Sequence, residues 1–275
     1  NRISSVSSTM QITSAMKMVS AAKLKRSQDA IVQMRPYAEK LGVLMANVSA
    51  TLDATENPFI TKRPLQRVLV VPMTANRGLC GAFNSSVLKR TKLVLERYEA
   101  QGVAVDLFAV GKKGRDQLSK LNTLAGSDID VVANVTFEAA RSIAQDAMDK
   151  FIDGTYDEVV VVYNQFKNAA VQLIREEVVL PIQVPSVSAA GDYLYEPNKE
   201  ELLLNLIPTH IHIQFFKALL DSQASEQGAR MTAMHKATDN AKSMRDGLKL
   251  DYNKARQAAI TNEILEIVGG AEALN

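Results

Sequence analysis

The sequence predicts an α/β protein in which two long terminal helices flank a domain built on a mostly parallel sheet. Two observations carry the helices. No proline follows Pro208, and from residue 209 almost to the end apolar and small side chains recur at helical spacing. Over residues 3–52 the spacing alternates between three and four, the heptad seam of a left-handed coiled coil. A third observation carries the domain: between the helices, short apolar runs alternate with amphipathic stretches, as strands alternate with crossover helices. A helix of roughly 60 residues is about 90 Å long, more than a small domain can cover. Such ends pack on each other, on a partner, or on both.

The N-terminal helix is placed at residues 1–55. Its seam runs Ile3, Val6, Met10, Thr13, Lys17, Ser20, Leu24, Ser27, Ile31, Met34, Ala38, Leu41, Met45, Val48 and Leu52. Polar residues hold core positions between Thr13 and Ser27, which makes a poor homodimeric zipper. Pro36 deletes a backbone donor and predicts a kink near residues 32–36. Residues 56–66 form a proline-punctuated linker.

The α/β domain is placed at residues 67–185. RVLVVPM at 67–73 reads as a buried strand, 82–101 as an amphipathic helix and 103–110 as a second strand. A short helix follows at 112–121, a short edge strand at 129–132, a third helix at 137–151 and a fully apolar strand, EVVVVY, at 158–163. Residues 171–180 come after too short a turn for a crossover helix, which predicts an antiparallel hairpin closing the sheet.

A connector at 186–207 leads to the C-terminal helix at 208–275, which opens with Pro208 in its first turn. One seam runs Leu220, Gln223, Gln227, Met231, Met234, Ala237, Ala241, Met244 and Leu248, then Ala255, Ala258, Asn262 and Leu265. Gly228 and Gly247 each cost about 1 kcal/mol relative to alanine; the period continues across both, so they read as tolerated or packing glycines. Gly269 and Gly270 mark a fraying end.

A net charge of +2 is too small to argue for nucleic acid. Residues 1–54 nevertheless carry seven Lys/Arg against three Asp/Glu, and Lys17, Lys23, Lys25 and Arg26 form a basic stretch. It reads as a solvated helix face or as a surface for an acidic partner. The single cysteine, Cys80, excludes an internal disulfide and fits a reducing compartment. No apolar run approaches the roughly 18 residues of a membrane span, and the start is no signal peptide. A soluble protein that can dock on a membrane complex is the expectation.

Most candidate chemistry fails on inspection. RGLCGAFN at 77–84 is a glycine turn between strand and helix, where backbone amides could hold a phosphate. It lacks the G-x-G-x-x-G spacing and a phosphate-binding lysine. GKKG at 111–114 offers no more. Cys80 has no histidine near it in sequence and reads as a buried structural thiol. His210 and His212 alternate at the start of the last helix, and His235 stands alone, so no metal-ligand set emerges. No carboxylate pair is spaced for acid–base work. These residues do not describe an enzyme, and no cofactor is expected.

Four segments resemble the gamma subunit family of F-type ATP synthases. QITSAMKMVSAAK at 11–23 and ITNEILEIVGGAEA at 260–273 look like that family's two terminal signatures, and 77–84 and SEQGARMTAMHKATDNA at 225–241 read as further family motifs. The resemblance runs along essentially the whole chain in order, with Asn1 expected a few residues inside the usual start. It implies that the terminal helices wind into a long antiparallel two-helix coiled coil, and that the middle is a Rossmann-like α/β domain. It implies a shaft without an active site. The coil enters a hexamer of three alpha and three beta subunits, while the middle domain sits near the membrane c-ring and holds epsilon. The function implied is coupling of ion-driven c-ring rotation to sequential conformational change in beta, for ATP synthesis or, in reverse, hydrolysis.

The resemblance also assigns contacts. Lys17, Lys23, Lys25 and Arg26 would face an acidic loop on beta. Arg256, Gln257, Thr261 and Glu263 would catch beta near the hexamer's inner collar, with Met16 beside them if the coil is antiparallel. Leu265, Ile267, Val268 and Leu274 would sit in an apolar sleeve. Residues 186–207 are short and hold no cysteine, unlike chloroplast members, so redox regulation of that type is not expected. A bacterial protein, peripheral on the cytoplasmic face of the inner membrane, is implied; the alternative is the matrix side of the mitochondrial inner membrane. The rival readings are a coiled-coil scaffold or tether, which would self-associate, and an α/β nucleotide-binding enzyme, whose middle domain would bind ATP or NAD.

Overall fold

A computed structural model describes residues 1–49, 58–61, 63–120, 124–182 and 199–272. It contains α1 (Arg2–Ser49), β1 (Arg67–Pro72), α2 (Phe83–Glu99), β2 (Ala104–Val110), α3 (Lys112–Leu118), β3 (Leu124–Asp128), α4 (Phe137–Ile152), β4 (Glu158–Phe166), β5 (Gln172–Leu180) and α5 (Lys199–Glu272). These form two compact units, Ser20–Arg230 and Asn1–Val19 with Met231–Asn275.

In the larger unit the strands form one sheet in the order β3-β2-β1-β4-β5. The first four are mutually parallel, and β5 runs antiparallel to β4 as the hairpin reading predicts. Successive β1 residues face opposite sides, and both sides are covered. Leu69, Val71, Val159, Val161 and Tyr163 pack with Ala140, Ile143, Ala144 and Phe151 of α4, with Ile207, Ile211 and Phe215 of α5 and with Met45 of α1. Val68, Val70, Val105, Leu107, Val160 and Val162 pack with Val87, Val94 and Leu95 of α2 and Leu118 of α3. Burial on both faces is why β1 and β4 read as unbroken apolar runs rather than alternating ones.

Several expected elements shift, for physical reasons. The edge strand is β3 at Leu124–Asp128, not 129–132. Its LAGSD sequence has little strand propensity, but it pairs along β2 from Leu107 to Val110, and a side chain at Gly126 would meet the Phe108 ring at 2.8 Å. Residues 129–132 turn away because the Asp128 carboxylate accepts from the amides of Asp130 and Val131. Helix α5 begins at Lys199, so Pro208 lies inside it and not in its first turn. Ile207 and Ile211 on either side are fully buried; at about 1.5–3 kcal/mol each, that burial offsets one missing backbone bond. Likewise α1 stays helical through Pro36, flanked by buried Ile31, Leu41 and Met45. At its far end α5 continues through Gly269 and Gly270, where fraying was expected.

The N-terminal seam matches the burial pattern: every seam position from Ile3 to Met45 is buried or half-buried. The Val48 side chain and Leu52 lie outside the described residues, as do linker residues 56, 57 and 62 and residues 183–198. Within the larger unit the Ser27 hydroxyl donates to Gln223 Oε1 at 3.0 Å. Within the smaller unit the Thr238 hydroxyl donates to that of Thr13 at 2.9 Å, and Arg245 Nη1 reaches Met10 Sδ at 3.7 Å. Within the smaller unit rising numbers on α5 meet falling numbers on α1, so the two helices run antiparallel there.

Candidate partner-contact surfaces

The smaller unit leaves one helix end bare. With Met10 opposite Arg245, the first turn of α1 faces the part of α5 about eight residues further on. Every α5 side chain from residue 249 to 270 is exposed. The seam positions Ala255, Ala258, Asn262 and Leu265 are therefore not a seam with α1, and Met244 also faces out while Arg245 is half-buried. The same register places Met16 opposite the turn around Met234. Met16 is therefore not beside Arg256, Gln257 and Thr261, which lie too far along α5.

The bare segment changes character along its length. Its upper turns carry Arg256, Gln257, Thr261 and Glu263, all exposed. The Thr261 hydroxyl donates to the Gln257 carbonyl at 2.9 Å, and Arg256 and Glu263 form no ion pair among the described residues. Further down, Ile264, Leu265, Ile267 and Val268 stand 50–67 % exposed. A run of large apolar side chains that open to water marks an interaction surface. Leu274 lies outside the described residues.

The basic residues are less concentrated than their spacing suggests. Lys17 takes a half-buried seam position in the smaller unit, and Met16 is half-buried too. In the larger unit Lys23 and Arg26 are exposed one helical turn apart, on a shared face. Lys25 points elsewhere and pairs with Asp29 at 2.8 Å, both largely in water; such i,i+4 pairs contribute a few tenths of a kcal/mol. Lys23 also acts on the buried carboxyl of Glu226, although burial, the larger influence, raises that group's pKa.

The glycine turn at 77–84 is not a phosphate site. In a doubly wound sheet, ligands enter the crevice at the carboxyl ends of the strands where connections diverge to opposite sides. Here that point lies between β1 and β4, and α5 fills it. The Ser225 hydroxyl donates to the Asn164 carbonyl at 2.9 Å. Gly228 lies so close to the β4–β5 turn that a Cβ on it would meet Ala169 Cα at 3.2 Å. Ala229 packs with Ala75, Cys80 and Phe83. Arg230, held by Glu226 at 2.5 Å, donates to the Arg77 and Gly78 carbonyls at 3.3 and 3.4 Å. The turn thus presents carbonyls to an internal cation. Leu79 and Gly81 take positive φ within it, and Asn84 Oδ1 accepts from the Ala75 amide at 2.9 Å.

Titratable groups elsewhere are structural. Cys80 is buried against Asn84, and burial pushes its thiol up, away from the thiolate. Burial first, then Lys217, lowers His210; burial first, then Arg141, lowers His212. Among the described residues no group of His, Cys, Asp or Glu is placed to hold a metal. Asp221 was not singled out by sequence. It is buried on α5 with one carboxylate oxygen lacking a partner among the described residues, and burial raises its pKa to about 6. Asn164 and Ser225 were likewise missed as individual residues. Nothing local marks either: Ser225 stands in a helix with many polar residues, and Asn164 ends an apolar strand.

A sheet whose ligand crevice holds the chain's own helix, on a chain whose long helix ends bare and apolar, defines a mechanical subunit: it acts by being gripped. The comparisons agree. A family model described as ATP synthase matches residues 1–274. The ATP synthase gamma chain of Flavobacterium johnsoniae is 58% identical over 100% of this chain and 97% of its own, and that of Geotalea daltonii is 42% identical over 99% and 96%. The chain belongs to the ATP synthase gamma chain family. Among solved structures, the central stalk of Tetrahymena thermophila mitochondrial ATP synthase aligns with a TM-score of 0.63 at 28% identity, over 82% of this chain and 99% of that one. A chain of Euglena gracilis mitochondrial ATP synthase shares the fold, with a TM-score of 0.72 at 24% identity over 99% and 92%.

Proposed function

We infer that this chain is the central rotor shaft of a bacterial F-type ATP synthase and carries no active site of its own. The α/β unit turns with the membrane c-ring and holds epsilon, and the helix pair turns inside three alpha and three beta subunits. Being asymmetric, the shaft touches the three beta subunits differently at any angle. An angle favours one beta conformation only by the difference in contact free energy between conformations. Rotation thereby drives each beta in turn through its nucleotide states, and ATP hydrolysis drives the rotation backwards. The observation that carries this reading is the bare end of α5, more than twenty consecutive residues left exposed among the described residues. Its lower turns, at Leu265, Ile267 and Val268, suit an apolar sleeve. Its upper turns, at Arg256, Gln257, Thr261 and Glu263, offer polar contacts that beta can make and release. Lys23 and Arg26, exposed on one face of α1 in the larger unit, supply a second surface toward beta, whose charged contacts are salt-sensitive; Lys25, and Lys17 and Met16 in the smaller unit, are assigned to beta by the resemblance alone.

Among the described residues no helix is long and apolar enough to cross a membrane. Attachment through the c-ring places the subunit at the cytoplasmic face of the inner membrane. The nucleotide-binding rival has lost its crevice to α5. In a gentle affinity purification from the native membrane, alpha and beta subunits accompany this chain; their absence would sink the reading. The double substitution Arg256→Ala with Gln257→Ala lowers coupled ATP synthesis while nucleotide binding by the hexamer stays intact. Unchanged synthesis removes those two residues from the mechanism.

A further inference from the structure

We propose that the filled crevice between β1 and β4 is the joint that passes torque from the α/β domain into α5, with Ser225, Gly228 and Ala229 as its positioning residues. This rests on the rotor-shaft reading and adds where, within the larger unit, the helix is held. A helix lying in a smooth apolar groove can turn about its own axis, because apolar contact is not directional. Resisting torque requires contacts all round the helix and features that interlock. Both are present. Residues 224–230 are seven consecutive buried positions, and at about 100° per residue they cover the whole circumference. The interlocking is chemical on one side, through Ser225 to the Asn164 carbonyl. It is steric on another, where Gly228 seats against Ala169 and Phe166, and Ala229 enters the cluster of Ala75, Cys80 and Phe83.

The receiving side is stiffened in turn. Asn164 donates from Nδ2 to the Phe83 carbonyl at 3.0 Å and accepts from the Ser86 hydroxyl at 3.2 Å. The end of β4 and the start of α2 are thereby tied together behind the joint. Both belong to regular elements, a sheet strand and a helix packed on the sheet, and not to a loop. A crevice that could have taken a small molecule is spent on the chain's own helix.

The test uses the complete ATP synthase, normalised to assembled complex, and reads the ratio of ion-driven ATP synthesis to ATP hydrolysis. Gly228→Val places a branched side chain where a single Cβ already meets backbone, and weakens seating of the helix about tenfold. Valine is no worse than glycine inside a helix, so the ratio falls through the joint and not through helix loss. Gly228→Ala restores most of the ratio. Gly247→Val, where a Cβ meets nothing within 4 Å, leaves it unchanged. A ratio equally insensitive to both valine substitutions overturns the proposal. As a second reading, Ala229→Cys is oxidised to a disulfide with the native Cys80, fixing helix to turn. Coupled synthesis then stays within about twofold of the reduced enzyme, because the joint does not move in turnover. Once the bond is verified by intact mass, activity lost on oxidation and regained on reduction contradicts it. Absence of alpha and beta from the purified complex is a separate outcome, and it counts against the rotor-shaft reading itself.

Discussion

Two stretches of α5 contrast within one unbroken helix: residues 224–230 are all buried, and residues 251–270 are all exposed. Both have helical periodicity, and neither is unusually apolar. The difference lies in what surrounds them. The first stretch is enclosed by the sheet crevice on one side and α1 on the other, so polar groups such as Glu226, Arg230 and Ser225 are buried only because each is matched. The second is uncovered among the described residues, so its polar and apolar side chains alike are left for another surface. A buried segment tolerates little change in its own fold, whereas an exposed one tolerates much until its partner arrives.

The largest effect on that comparison is expected at Arg230. Replacing Arg230→Met leaves the Glu226 carboxylate buried without its cation and destabilises the chain by about 3–5 kcal/mol at pH 8. Urea unfolding followed by tyrosine fluorescence measures it, and the loss shrinks as the pH is lowered, because burial raises the Glu226 pKa and favours its neutral form.

Asp221 has the opposite sign. Its folded pKa, about 6, lies above the ordinary 3.8, so the folded state holds the proton more tightly than the unfolded. Stability from this group is therefore full below pH about 4 and is lost as pH rises through 6. Asp221→Asn stabilises the chain at pH 8 by about 1–3 kcal/mol, and the gain disappears by pH 4. An equal gain at both pH values would show that removing the charge is not the cause.

Smaller effects separate the two stretches by glycine. Gly247→Ala, in open space, gains about 0.5–1 kcal/mol of helix stability in thermal unfolding monitored by circular dichroism. Gly228→Ala gains nothing, because its Cβ meets Ala169 at 3.2 Å. Smallest of all, Leu265→Ser, Ile267→Ser and Val268→Ser each leave the stability of the free chain within about 0.5 kcal/mol. Their effect is expected only when alpha and beta subunits are present, as weaker assembly on a native gel.

The pattern of what was legible in the sequence follows from the same contrast. The seam from Ile3 to Met45 and the apolar strands at 67–73 and 158–163 were readable because burial on one or both faces imposes a period. Strand β3 was not, since Leu124–Asp128 becomes a strand through pairing with β2 and through the Phe108 ring over Gly126, which no local propensity records. The start of α5 was misplaced at Pro208 because the rule that prolines open helices ignores the burial of Ile207 and Ile211. Among site residues, Arg256, Gln257 and the apolar set at 265–268 were identified through resemblance, and periodicity alone listed Leu265 on a seam without saying what covers it. Met16 was put beside Arg256 because an antiparallel sense does not fix a register. Arg230 hid within a motif, and its function in closing the crevice appears only when residue 77 is brought to it in space.

Amide hydrogen exchange, read by mass spectrometry on the free chain and on the chain assembled with alpha and beta subunits, tests the central claim most directly. Residues 211–230 should be strongly protected in both states. Residues 251–270 should exchange rapidly in the free chain and become protected on assembly, as a bare helix end enclosed by its hexamer. Unchanged exchange at 251–270 would contradict the account.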